Sequence, residues 1–321
     1  MKKYLTYTIF LGLGASLMWF LYKDISWEDE LLPALQSVHW EWVAASFGFN
    51  FLASACRGFR WKYLLEPLGY TAKGWNGTNS VTFGYAMNYL IPRSGEVARC
   101  TLLNRAEKIP VDILIGTVIL ERIVDIVILG SIIGLSVLIH HDAISQLFAN
   151  ADSSKLTLLL YAAIGGIIVL IVFLLLLKKL RHIAWLARID DFLIGIGKGI
   201  RAIGQLKQPL KFWSLTLSIW VCWIVMTYLS MLAMDITADM TIADTIFFVA
   251  AGSLGMMVPT PGGAGSFHGM SILAFQTLGY SADTGKIYSL LSWSVKTAFE
   301  IILGTLGFFM VSRQFPKKQA P

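Results

Sequence analysis

The chain alternates long apolar runs with short polar connections, and the runs have helical lengths. Apolar stretches lie at about 4–22, 41–58, 111–139, 156–177, 211–234 and 288–311. Each is near the ~20 helical residues needed to cross ~30 Å of hydrocarbon. Two shorter stretches, 75–91 and 242–258, are interrupted by glycine and end at Pro92 and Pro259. A weakly hydrophobic helical segment follows each break, so each pair reads as a re-entrant hairpin. Irregular backbone at membrane depth persists only where protein or a wet cavity surrounds it. The pattern predicts an all-α polytopic membrane protein with about six full spans and two re-entrant helical hairpins. It forms a single membrane domain over 1–321. Units 1–139 and 156–311 each read span, linker, span, hairpin, span and enter from opposite sides, as inverted repeats.

Composition agrees with this reading. Of 321 residues, 56% are hydrophobic and 14% charged, with a mean hydropathy of +0.64; a soluble domain carries about 25% charged residues. The first span follows Lys2 and Lys3, lacks a small-x-small cleavage site, and is expected to be retained. The net charge of +6 does not point to nucleic acid, because topology accounts for it. With the N-terminus in the cytoplasm, 21 of the 26 Lys and Arg fall on the inner side, and Asp24, Asp142, Asp235 and Asp283 fall outside. The expected location is the cytoplasmic membrane of a prokaryote, with both termini cytoplasmic. The inner linker at about 178–208 mixes Lys178, Arg181 and Arg188 with Ile183, Leu186 and Phe192. It reads as an amphipathic helix on anionic inner-leaflet lipid, or else as a solvated loop.

Other chemistry is sparse. Cys56, Cys100 and Cys222 form no Cys-x-x-Cys pair and read as free thiols, with no metal site and no cofactor. Asn76-Gly77-Thr78 matches a glycosylation sequon, a pattern short enough to arise by chance. No phosphate-binding Gly-x-x-x-x-Gly-Lys loop, His-Glu-x-x-His or Gly-x-Ser-x-Gly elbow occurs, so no enzyme is expected.

The informative polar residues cluster at the breaks and in two spans. After Pro92 and Gly95 come Arg93, Glu96 and Arg99 at once, whereas the second break, Pro259, Pro261, Gly262, Gly263 and Gly265, is nearly bare. Helices starting near Ser94 and Gly263 would offer unpaired N–H groups to an anion. Arg93 and Arg99 suit phosphate, with Glu96 on the same face to hold Arg99. Arg93 snorkelling to the inner interface is the plainer alternative. Glu121, Arg122 and Asp125 sit in mid-span, at roughly 2.5–3.5 kcal/mol each if left in lipid. They must face protein or water. Arg122 can pair with Asp125, and Lys296 with Glu300 in the last span. The two groups are expected to meet across the pseudo-twofold axis, as a polar lining, a proton relay or structural ion pairs. Arg57 and Arg60, at the inner end of the second span, read as headgroup contacts or positive-inside anchors. His268 stands out only by its place just after the second break.

At these residues the chain resembles the lysylphosphatidylglycerol synthase transmembrane-region family, the flippase-like domain of the multiple peptide resistance factor. The resemblance rests on Asn88-x-x-x-Pro92-x-x-Gly95-Glu96-x-x-Arg99, Glu121-Arg122-x-x-Asp125 and Pro259-x-Pro261-Gly262-Gly263-x-Gly265, and spans about 5–311. It implies translocation of a membrane lipid, phospholipid or lipid-linked sugar, between leaflets. Bifunctional members add a soluble domain that transfers lysine from tRNA; these 321 residues hold no such domain, so lysyl-lipid synthesis is not expected. His268 stands near a position where many relatives carry an acid. Two other readings stay open: a non-transporting membrane partner that presents lipid to, or docks, a glycosyltransferase or synthase, and a small-solute secondary transporter; as partner of the chain itself, a second copy in a homo-oligomer stays open too.

Overall fold

The computed structural model of the protein describes residues 2–150 and 204–315. The expected span at 156–177 and nearly all of the linker at 178–208 lie outside the described residues. Within them are eleven α-helices with short 3-10 and π turns, and no strand. In chain order they are α1 (Lys2–Tyr22), α2 (Leu32–Gln36), α3 (Trp40–Leu65), α4 (Gly74–Leu90), α5 (Gly95–Glu107) and α6 (Val111–Ile139). Then come α7 (His141–Asn150), α8 (Pro209–Leu232), α9 (Ile242–Met256), α10 (Ser266–Thr277) and α11 (Ala282–Ser312).

Helices α6, α8 and α11 are long and apolar enough to cross a membrane. Val127, Leu138, Leu210 and Leu217 on their outward faces are each more than 60% exposed. Leaving such side chains in water forfeits about 1.5–3 kcal/mol apiece, which a hydrocarbon surround does not. Local chemistry sets the helix ends. Pro92 forces Ile91 into an extended conformation (φ −134°, ψ 116°) and stops α4. Helix α9 starts at a reciprocal cap, in which the Asp244 N–H donates to Thr241 Oγ1 at 3.2 Å and the Thr241 N–H donates to Asp244 Oδ2 at 2.8 Å. At the start of α11 the Thr284 N–H donates to Ser281 Oγ at 3.0 Å.

Helix α3 corrects the boundary expected at residue 58. It continues to Leu65, and Arg57 and Arg60 lie in the interior, at 1% and 0% exposure, instead of at an interface. These arginines are neither headgroup contacts nor surface anchors.

Helices α4 and α5 form a hairpin whose open ends share one face of the bundle. The Lys73 N–H and Asn76 Nδ2 both donate to Glu107 Oε1, at 3.0 and 2.7 Å. The end of α11 joins them there, since Asn76 and Gln314 exchange two amide hydrogen bonds at 2.9 and 3.0 Å. Asn76 is buried and held from both sides, so the sequon is no accessible acceptor. A second hairpin, α9–α10, opens on the opposite face, where Asp244 lies 3.7 Å from His140 at the far end of α6. An aromatic core of Phe248, Phe275 and Tyr288, with ring centres 5.1–5.4 Å apart, binds this hairpin to α11. Trp61, Leu65, Leu103 and Leu114 do the same for α3, α5 and α6. The tips of the two hairpins meet between these cores.

Candidate functional site at the meeting of two helix breaks

Helix α3 turns a polar face inward. Ser46, Asn50, Ser54 and Arg57 recur at three- to four-residue spacing, and all are buried, as is Arg60. Facing them, α6 presents Glu121 and Asp125 one turn apart. Arg60 donates through Nη2 to Glu121 Oε1 at 2.8 Å and through Nη1 to Asp125 Oδ1 at 3.1 Å. Arg57 donates through Nη2 to Asp125 Oδ2 at 2.7 Å, and Arg99 Nη2 of α5 lies 3.1 Å from Glu121 Oε2. Aromatic faces back three of the guanidinium groups: Arg57 on Trp223 at 5.0 Å, Arg99 on Trp61 at 4.9 Å and Arg60 on Phe212 at 5.8 Å. Trp61 is itself fixed by donating to Thr117 Oγ1 at 2.7 Å.

Glu96 was expected to hold Arg99. It instead lies 2.9 Å from Arg122, because Arg99 reaches across to Glu121. The expected Arg122–Asp125 contact exists but is long, at 3.6 Å, since Asp125 is already taken by Arg57 and Arg60. Four arginines and three carboxylates thus form one network across α3, α5 and α6, with a formal surplus of one positive charge. Removing one partner from such a buried network typically costs about 3–5 kcal/mol.

The breaks lie beside this network. At the first, the Gly95 N–H donates to Asn88 Oδ1 at 2.8 Å, so Asn88 fills one donor of the helix start. Ser94 does not cap the helix; its hydroxyl donates to the Ile91 carbonyl at 2.8 Å. A side chain on Gly95 would place its Cβ 2.1 Å from the Gly84 carbonyl oxygen, so the hairpin arms touch through backbone. Arg93 adopts a left-handed conformation (φ 62°) and its guanidinium donates to the carbonyl of Met257, just before the second break.

At the second break Pro259 and Pro261 end α9, and Gly262, Gly263 and Gly265 take positive φ values of 56°, 77° and 78°. Gly262 is pressed against the Tyr89 ring, where an added Cβ would lie 2.0 Å from a ring carbon. Its carbonyl accepts from Trp293 Nε1 at 2.8 Å. Tyr89 and Arg93 of one hairpin thus grip Gly262 and Met257 of the other. Helix α10 begins at Ser266, three residues after the expected Gly263. His268 is fully buried; its Nδ1 accepts from the Gly265 N–H at 3.2 Å, which puts the ring proton on Nε2. Tyr22, Phe267 and Trp293 surround the ring at 5.2–5.8 Å, so His268 ties this tip to α1 and α11.

Lys296 and Glu300 pair at 3.7 Å, as their spacing predicts. Among the described residues they form no ion pair with Glu121, Arg122 or Asp125. The partner that Glu300 finds is Tyr89 of α4, whose hydroxyl donates to Oε2 at 2.9 Å. Glu300 also lines a small polar recess with Asn50, Ser54, Thr82 and Tyr85. The Asn50 side-chain N–H group has no hydrogen-bond partner among the described residues. Asn50, Arg57, Arg60, Tyr85 and Tyr89 are the site-forming residues that the motifs alone do not mark.

An all-helical bundle with lipid-facing apolar surfaces, buried charges and two helical hairpins joined at their tips defines a multi-pass membrane protein with a polar interior. The chain belongs to the family described as the lysylphosphatidylglycerol synthase TM region, whose profile matches residues 7–304. It is 23% identical over 312 residues to the UPF0104 membrane protein MJ1595 of Methanocaldococcus jannaschii, a match that covers 91% of each chain. No solved structure matches it.

Proposed function

We propose that the protein is a lipid transporter of the flippase type, moving an anionic or phosphate-bearing lipid between leaflets of the cytoplasmic membrane, and not an enzyme. Family membership supports a role in lipid handling. One observation carries the finer reading: two broken hairpins opening on opposite faces meet at their breaks, with Arg93 resting on the Met257 carbonyl. Paired helix breaks of this kind mark substrate sites in transporters built from inverted repeats. In this reading α4–α5 and α9–α10 are re-entrant, six other segments span, and the termini are cytoplasmic. A carbonyl is a neutral acceptor, and charge-assisted guanidinium–phosphate bonds are roughly twice as strong as neutral ones. A lipid phosphate arriving at the tips therefore outcompetes Met257 for Arg93.

The test is reconstitution in liposomes with a fluorescent anionic phospholipid, read by a membrane-impermeant quencher. The expected result is faster loss of inner-leaflet fluorescence than in protein-free liposomes, slowed by Arg93→Ala. Rates equal to the protein-free control, with and without a pH gradient and for several headgroups, overturn the transport reading.

A further inference from the structure

The polar recess and the lipid phase are separated by a single helix–helix seam. Glu300 lies twelve residues before the end of α11, about 18 Å along the helix, which places the recess deep in the bundle. Helices α4 and α11 form its outer wall, and along that wall they touch almost through backbone. A Cβ on Gly304 would lie 2.5 Å from the Ala86 Cβ and 2.6 Å from the Thr82 carbonyl oxygen, and one on Gly307 would lie 2.7 Å from the Asn79 carbonyl oxygen. Small residues permit this close approach. On the lipid side of the same seam runs an apolar groove of about 190 Å³ between Phe83, Met87 and Leu90 of α4 and Ile301, Phe308 and Phe309 of α11. Polar and apolar linings thus stand back to back across one contact.

Asn50 is 3% exposed, yet its amide donors have no partner among the described residues. Such an orphaned donor destabilises the fold unless an acceptor visits it. Lys296 and Tyr89 already answer the Glu300 carboxylate, so it does not stand as an isolated charge against an anionic visitor. The occupant that matches both sides at once is an amphiphile with an acceptor-rich head and a hydrocarbon tail. Building on the lipid-transport reading, we propose that the α4–α11 seam is a lateral portal: a phospholipid headgroup enters between these helices to reach Asn50, while an acyl chain lies in the outer groove.

The experiment locks the seam. Phe83 and Phe308 face each other across it with ring centres 5.2 Å apart. Phe83→Cys with Phe308→Cys takes a short bifunctional methanethiosulfonate, and the three native cysteines are buried out of its reach. The full-length double variant is placed in liposomes that contain a phospholipid with a photoactivatable headgroup. Labelling is then mapped by mass spectrometry. The expected result is labelling of the α3 peptide bearing Asn50 and Ser54, lost on cross-linking and regained on reduction. A second variant, Asn50→Leu, keeps the seam unmodified and should lower the same labelling. Labelling of α3 that is indifferent to the cross-link, or absent without it, overturns the portal. Lipid translocation in the same vesicles separates the two claims. Transport that persists through a locked seam refutes the portal alone, whereas portal-dependent labelling without transport refutes the transport reading alone.

Discussion

Two buried polar regions lie side by side in this bundle and follow opposite rules. Around Glu121 and Asp125, Arg57 and Arg60 of α3 donate hydrogen bonds, Arg99 of α5 adds an ion-pair contact, and aromatic rings back all three guanidinium groups. Around Glu300 there is one long lysine contact, one tyrosine hydroxyl and an asparagine amide with no partner. The charged network can hold helices together, although Arg99 Nε and Nη2 and Glu121 Oε2 make no hydrogen bond among the described residues. The sparse region makes fewer polar contacts and leaves the Asn50 amide donor unpartnered among the described residues. In the proposed transport reading Arg57, Arg60 and Arg99 support the bundle, while Arg93, Asn50, Tyr89, Lys296 and Glu300 meet the lipid.

Substitutions can break this division. The largest effect is expected from Glu121→Gln, which leaves Arg60 and Arg99 buried beside a neutral amide. A stability loss of about 3–5 kcal/mol should appear as a lowered melting temperature in detergent. An unchanged melting temperature would place the network outside the scaffold. Glu300→Gln should do the reverse, keeping the fold while slowing lipid translocation by roughly tenfold, a barrier change of about 1.4 kcal/mol. Asn50→Leu removes an orphaned amide without emptying its space. Stability should hold or rise by about 1 kcal/mol while translocation falls, because the amide costs the resting fold and serves only the ligand. Loss of stability with transport intact would reverse the roles assigned to the two regions.

The smallest expected effect lies far from both regions, where His39 caps α3. Its Nε2 is 3.0 Å from Asp235, and that hydrogen bond, with a lesser contribution from Glu41 and against some desolvation, raises its pKa above the usual 6.5. The folded state therefore favours protonated His39. Its contribution is complete below pH 6.5 and fades as pH rises through the higher folded-state value. Thermal unfolding at pH 6 and pH 8 should show a slight fall that His39→Ala removes, with the interior regions unaffected.

Much of this was legible in the chain, and physical reasons separate what was from what was not. Pro92 and Pro259 follow apolar helical runs and disfavour helical conformation in the residue before them, so both breaks could be placed within a few residues. Mid-span charges are too costly to leave in lipid, so Glu121, Arg122 and Asp125 had to have partners. Which partners they have depends on packing between helices tens of residues apart, and spacing along one helix favoured the wrong pair, Glu96 with Arg99. Hydropathy ended the second span at residue 58 because Arg57 and Arg60 resemble interfacial anchors. The signal against that was the stripe Ser46, Asn50, Ser54 and Arg57, whose helical period predicts an inward polar face. Contacts such as Arg93 with Met257 and Tyr89 with Gly262 join residues more than 160 positions apart, and no local pattern announces them.

In the proposed transport reading a phosphate-bearing lipid crosses beside Asn50 and Glu300, and the arginine–carboxylate network supports the fold around them. The most direct test is the translocation rate of a fluorescent anionic phospholipid in proteoliposomes, measured for the wild-type protein and for Glu300→Gln at matched melting temperature. The expected wild-type rate is well above that of protein-free liposomes, and the Glu300→Gln rate is roughly tenfold below the wild-type rate. Equal rates for wild type and Glu300→Gln, or a wild-type rate no faster than the bare bilayer, would contradict this reading.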